Sequence, residues 1–216
     1  MKSLPNVTLI SYDNTDDPTR TLRALRYCAI LIKFADVVLV CAAMPDGNVN
    51  GETIRVVNES GYEAAMQWEV VGLKSFVDTD YALCVSYDGY ILNSGAWRDY
   101  WLDYDFIGAP WPADFTRHDF PDYRVGNTGF CLKSRAFMHY CAEIGHRREP
   151  AMNGDVFTSR LQRKRLEKFG MKYAPLSVAA DFAWEFTIDE YPNGRPDAFG
   201  FHKIAYGKES FVPILA

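Results

Sequence analysis

Apolar residues in this chain follow two patterns, short continuous runs and longer stretches with an apolar position about every three to four residues. The first pattern predicts buried strands at Val7–Ser11, Val37–Cys41, Tyr81–Val85 and Phe130–Leu132, with shorter extended pieces at Ile54–Val57 and Asp103–Ile107. The second predicts helices. One runs from the Asp17-Pro18 start signal to about Lys33, with Leu22, Leu25, Ala29 and Ile32 at helical spacing. Others cover Tyr62–Phe76, a segment capped by Ser134 and reaching about Ile144, and Asp155–Phe169, stopped by Gly170. In the last helix Val156, Leu161, Leu166 and Phe169 are expected inward, and Arg160, Arg163, Lys164 and Arg165 outward. The strand–helix–strand order at the start implies a parallel pair with a right-handed crossover. Met44–Ser60 and Pro110–Arg124 read as loops, the second irregular and mobile, and Phe199-Gly200-Phe201-His202 reads as a tight turn.

At 216 residues, 48% of them hydrophobic, the chain can bury a full core, and with no repeat or linker it is expected to form one domain over residues 1–216. No run approaches the ~18 apolar residues that span a bilayer. The opening Met1-Lys2-Ser3-Leu4-Pro5-Asn6 lacks the apolar stretch of a signal peptide, so a soluble, cytoplasmic protein without a membrane partner is expected. Five cysteines without a Cys-x-x-Cys pair are expected to be reduced core residues. A formal charge of -5 argues against bulk attraction to a polyanion, while leaving room for a local basic face. The 15% aromatic content suits a core and also suits a cleft that packs flat rings against sugars.

Candidate chemistry concentrates at a few points. Asp88 follows the Tyr81–Val85 strand at once, and Gly89 lets the chain turn; in open α/β sheets, ligands bind outside the carboxyl ends of strands. A carboxylate oxygen from Asp88 and an imidazole nitrogen from His202 are ligands that a hard divalent cation accepts. A turn-capping Asp88 and a surface His202 are the plain alternatives. Asp78 and Asp80 precede their strand and are expected in a solvated turn. Gly126-Asn127-Thr128-Gly129 can bring backbone close to a ligand, with Asn127 able to donate to and accept from hydroxyls, or it is an ordinary tight turn. Asp155 is either a helix-start carboxylate or a general base. The Arg160–Arg165 cluster is a solvated helix face or an anion-binding one. His139 and His146 have no partner spacing, and no nucleophilic triad, phosphate loop or dinucleotide glycine pattern is present.

Four blocks occur in one order: Ser86–Tyr90, Tyr104–Trp111, Val125–Arg135 and Phe199–His202. With Leu4–Leu9 and Ala24–Cys28, they resemble a poorly characterised family of glycosyltransferase-like domains with the GT-A fold, and Ile107-Gly108-Ala109-Pro110-Trp111 is the most specific of them. The resemblance implies an α/β architecture, a single GT-A-like (Rossmann-like) nucleotide-diphospho-sugar transferase domain with a mixed central sheet. It implies a metal-dependent, inverting transfer from a nucleotide-sugar donor, a UDP-sugar first among them, to an acceptor hydroxyl. Asp88 and His202 would hold Mn²⁺ or Mg²⁺, and the donor would meet Asp13, Asn14, Ser86, Asp88, Asn127 and Gly129. Asp155 would be the base, and Trp111 would close over the acceptor. Ser86 replaces the first acid of the usual Asp-x-Asp element, Thr128 stands where the family has glycine, and Gly154 replaces an acidic partner of Asp155. The acceptor would be a glycan or small molecule, or alternatively a hydroxymethylated base in DNA met by the Arg160–Arg165 face. A catalytically inactive sugar-binding module is a third reading of the missing acids.

Overall fold

A computed structural model describes residues 1–46, 50–57, 61–115, 122–145 and 153–203. The elements run β1 (Lys2–Asp13), α1 (Thr19–Leu31), β2 (Ile32–Cys41), β3 (Thr53–Val56), α2 (Gly61–Gln67), β4 (Tyr81–Val85), β5 (Tyr90–Ile91), β6 (Phe106–Gly108), β7 (Phe130–Ser134), α3 (Arg135–Gly145), α4 (Gly154–Val156), α5 (Arg163–Lys168), α6 (Leu176–Phe182), β8 (Ala183–Trp184) and β9 (Gly200–Phe201). Six strands form the central sheet in the order β3-β2-β1-β4-β7-β6. The pairs β1–β2, β1–β4 and β2–β3 are parallel, whereas β7 is antiparallel to β4 and to β6, so the sheet is mixed.

Local signals explain most boundaries. The Asp17 carboxylate accepts from the Thr19 amide at 3.0 Å and Thr19 opens α1, while the Ser134 hydroxyl accepts from the Phe137 amide at 3.1 Å at the start of α3. Gly170 ends the α5 segment at φ +87°, a conformation that suits glycine. Strand β4 covers the residues expected, and β1 and β2 extend further than their apolar runs.

Two helices depart from expectation in the same way. Tyr62–Phe76 is broken into α2, a π turn at Trp68–Gly72 and a 3₁₀ turn at Leu73–Phe76; Asp155–Phe169 is interrupted by a π turn at Phe157–Leu161. A π turn inserts one residue into the helical repeat and rotates the residues beyond it. Leu161 and Phe169, expected inward, are therefore 41% and 44% exposed, and Arg160, expected outward, is 2% exposed. Phe199–His202 is another correction: Gly200 and Phe201 form strand β9, central in a small second sheet of order β5-β9-β8.

The core is unusually aromatic. Trp97, Trp101, Phe130, Phe182 and Phe199 are buried around one another, with ring centroids 5.2–5.8 Å apart in their contacts. Much of the aromatic content is thus spent on packing. All five cysteines are free and buried. The irregular 110–124 segment is tied at its ends, where the Trp111 amide donates to the Arg124 carbonyl at 2.7 Å and Arg124 reaches both Glu190 oxygens. Its residues 116–121, and His146, lie outside the described residues. No helix among the described residues is long and apolar enough to cross a membrane.

Candidate functional site

The small sheet assembles the site. Strand β9 lies between β5, its antiparallel neighbour through Tyr90↔Phe201, and β8, its parallel neighbour through Trp184↔Phe201. His202 and Glu185 each follow directly on one of the parallel strands, and Asp88 sits just before the antiparallel one. Three residues distant in sequence therefore converge at the carboxyl end of β4. His202 Nε2 lies 3.3 Å from Asp88 Oδ1, its Nδ1 lies 3.4 Å from Glu185 Oε1, and Lys203 Nζ reaches Glu185 Oε1 at 2.8 Å. Burial by itself would raise the Asp88 carboxyl, but the bond and charge of His202 outweigh it and hold it low; burial would lower His202, and its two carboxylate neighbours hold it high.

Glycines make this approach sterically feasible. A Cβ on Gly129 would fall 2.1 Å from His202 Nε2, and one on Gly89 would fall 2.7 Å from the Gly129 carbonyl, which accepts from the Ser86 amide at 2.8 Å. Gly129 thus serves the imidazole, and the turn before it is fixed by Asn127, whose side-chain oxygen accepts from the Gly129 amide at 3.0 Å.

Asp155 is close enough to Glu185 to feel its charge. A Cβ on the neighbouring Gly154 would come within 2.8 Å of the Glu69 carboxylate, so glycine there lets Glu69 lie against the start of α4. Burial first, and the Glu69 charge second, push the Asp155 carboxyl up to about 7, against the Val156 amide bond and the Arg160 charge. The helix-start position does not keep Asp155 fully ionised at neutral pH, because desolvation dominates.

A cavity of about 140 Å³ opens beside these groups, lined by Tyr12, Trp68, Glu69, Cys84, Ser86, Thr128 and Lys133 among others. Tyr12 and Trp68 stack at 4.8 Å along its wall.

Residues 56–202 match the family described as "Protein of unknown function (DUF5672)". The chain belongs to this family. No curated protein matches the chain in sequence. Among solved structures, the galactosyltransferase LgtC in complex with donor and acceptor sugar analogs is similar at TM-score 0.53 and 13% identity, covering 94% of this chain and 93% of that one. An active-site mutant of LgtC gives TM-score 0.55 at 14% identity, covering 94% and 93%. A glycosyltransferase involved in glycosylation of the major capsid of PBCV-1 gives 0.53 at 10% identity, covering 95% and 96%. This DUF5672 chain therefore has the GT-A glycosyltransferase fold.

Within this DUF5672 chain the sequence candidates separate. Asp88 and Glu185 flank the two ring nitrogens of His202, Asp155 feels the Glu185 charge, and Ser86 lines the adjoining cavity. Asp13 ends β1 and is engaged locally, accepting from the Thr15 amide at 2.9 Å, its hydroxyl at 2.6 Å and the Thr21 hydroxyl. Asn14 donates to the Gly61 carbonyl at 2.5 Å. Trp111 offers no free face to an acceptor: it is 1% exposed, against Phe115, the bare Cα of Gly126 and the Arg160 guanidinium at 4.4 Å. The basic face loses two of its four members, because Arg160 is buried under Trp111, and Arg163 pairs with Glu167 and stacks on Tyr123 and Tyr173. Glu69, Lys133, Arg160 and Glu185 complete the surroundings, and of these only Arg160 was singled out in the sequence, as an outward residue. The signal that marks Glu69 is a charge embedded in the apolar run Trp68-Glu69-Val70-Val71, and for Lys133 it is a charge closing the run Phe130-Cys131-Leu132.

Proposed function

We propose that this protein transfers a sugar from a nucleotide-diphosphate donor, a UDP-sugar in the first instance, to a hydroxyl of a glycan or small molecule, with inversion. The observation that carries the reading is the contact of Asp88 and His202 at the carboxyl end of β4 in a GT-A fold. Asp88 Oδ1 is buried with the His202 imidazole nitrogen 3.3 Å away, an oxygen–nitrogen pair that suits Mn²⁺ or Mg²⁺. Among the described residues no three His, Cys, Asp or Glu side chains are grouped to hold a metal ion, so the other ligands of such an ion would have to be phosphate oxygens and water. Such an ion would offset the negative charge that builds on the departing diphosphate. Glu185, on the far nitrogen of His202, would fix the ring's orientation.

Asp155 performs the proton work in this scheme. The acceptor oxygen forms a bond to the anomeric carbon while the bond from that carbon to the diphosphate oxygen breaks and its electron pair leaves with the diphosphate. The acceptor's proton passes to the Asp155 carboxylate. A base that titrates at about 7 is well matched to operation near neutral pH.

A thermal-shift screen of nucleotide sugars with and without Mn²⁺, followed by assay for released nucleoside diphosphate, tests the reading. One donor is expected to raise the melting temperature only with the cation and to be consumed. Stabilisation without turnover on any hydroxyl acceptor would favour the inactive binding module, and no response to any donor would overturn donor binding altogether. Gly129→Ala gives a geometric check: its Cβ must displace the His202 ring, so turnover is expected to fall at least about tenfold, with the circular-dichroism spectrum retained.

A further inference from the structure

Lys133 is the fourth of the five residues of β7, after three apolar ones, and is 3% exposed. Burial opposes its charge, and the neighbouring Glu69 carboxylate favours it. It makes no ion pair or side-chain hydrogen bond with the described residues, and it lines the cavity beside Ser86. Glu69 lines the same cavity from a different element, with its Oε1 buried and without a hydrogen-bond partner. A nearly buried ammonium and a buried carboxylate oxygen without a hydrogen-bond partner face one space, and such charge is costly unless something bridges it.

We infer that this cavity takes a neutral, hydroxyl-rich sugar, whose hydroxyls accept from Lys133 Nζ and donate to Glu69, and that this charge pair makes the site select neutral over acidic sugars. A hydroxyl is the simplest group that can do both at once. A carboxylated sugar would satisfy Lys133 but bring a second negative charge against Glu69, with Asp155 next to it. Thr128, on the cavity wall, limits the space further. The inference rests on the transferase reading, because it names the donor's sugar class.

The test is calorimetric titration with UDP-glucose, UDP-galactose, GDP-mannose and UDP-glucuronate, each against its free nucleoside diphosphate, in the presence of Mn²⁺. In the wild type one neutral-hexose donor is expected to bind at least about tenfold more tightly than its free diphosphate, and UDP-glucuronate no more tightly than UDP. In Lys133→Met and in Glu69→Gln that ratio should fall towards one, with affinity for the free diphosphate unchanged and melting temperature confirming the fold. An unchanged ratio in folded Lys133→Met, or a preference for UDP-glucuronate, overturns the inference while leaving the transferase reading intact. Loss of affinity for the free diphosphate itself would assign the ammonium to phosphate and also overturn it. Failure of the wild type to bind any of these compounds overturns both readings.

Discussion

Asp155→Asn is expected to lower turnover by about 10²–10⁴-fold while raising thermal stability at neutral pH, a combination that separates a general base from a helix cap. The sign depends on where the proton resides. The native carboxyl titrates at about 7, whereas in the unfolded chain it titrates near ~3.9. Between those values the unfolded state gives up a proton that the native state keeps, so stability falls as pH rises from about 4 to about 7 and is level above that. Each pKa unit corresponds to about 1.4 kcal/mol, and about 1 kcal/mol moves the melting temperature of a chain of this size by roughly 2–4 °C. Asparagine keeps the shape without the charge, so a gain of several degrees at pH 8 and almost none at pH 4 is expected, with donor affinity nearly unchanged. Wild-type turnover should rise with pH through about 7, and Glu69→Gln should move that limb to lower pH by removing the adjacent charge. A capping Asp155 would give the opposite result, with near-normal turnover and lost stability. Turnover and melting curves at two pH values decide between them.

Asp88→Ala is expected to reduce transfer by at least about 10²-fold, since the charge stabilisation at stake is several kcal/mol. The fold should survive, because Asp88 precedes β5 and its main side-chain contact is the His202 ring, which retains Glu185 on its other nitrogen. The accompanying readout is binding: the variant's melting temperature should no longer respond to Mn²⁺ in the presence of donor. A well-folded Asp88→Ala protein with full turnover, or wild-type turnover indifferent to a chelator, would remove Asp88 and His202 from the metal assignment.

Local patterns along the chain were enough to lay out the framework. Continuous apolar runs located β4 and the cores of β1, β2 and β7, because a strand buried on both faces has no polar alternation to confuse the reading. Capping chemistry at Asp17 and Ser134 and the positive-φ stop at Gly170 are local, and local rules sufficed for them. The position of Asp88 at the carboxyl edge of the sheet, three residues past the end of β4, was legible for the same reason.

Tertiary structure decided the surroundings. The two π turns broke the helical repeat, the second turning Arg160 into the interior and Leu161 outward, and no residue pattern in either segment marks a one-residue insertion. The two-residue strands β5, β8 and β9 are too short to carry periodicity, yet their pairing brings Asp88, Glu185 and His202 together. Burial, which depends on distant packing rather than on the helix start, set the ionisation of Asp155. Lys133 and Glu69 come from different elements, and only the folded sheet turns two isolated charges into a pair facing one cavity.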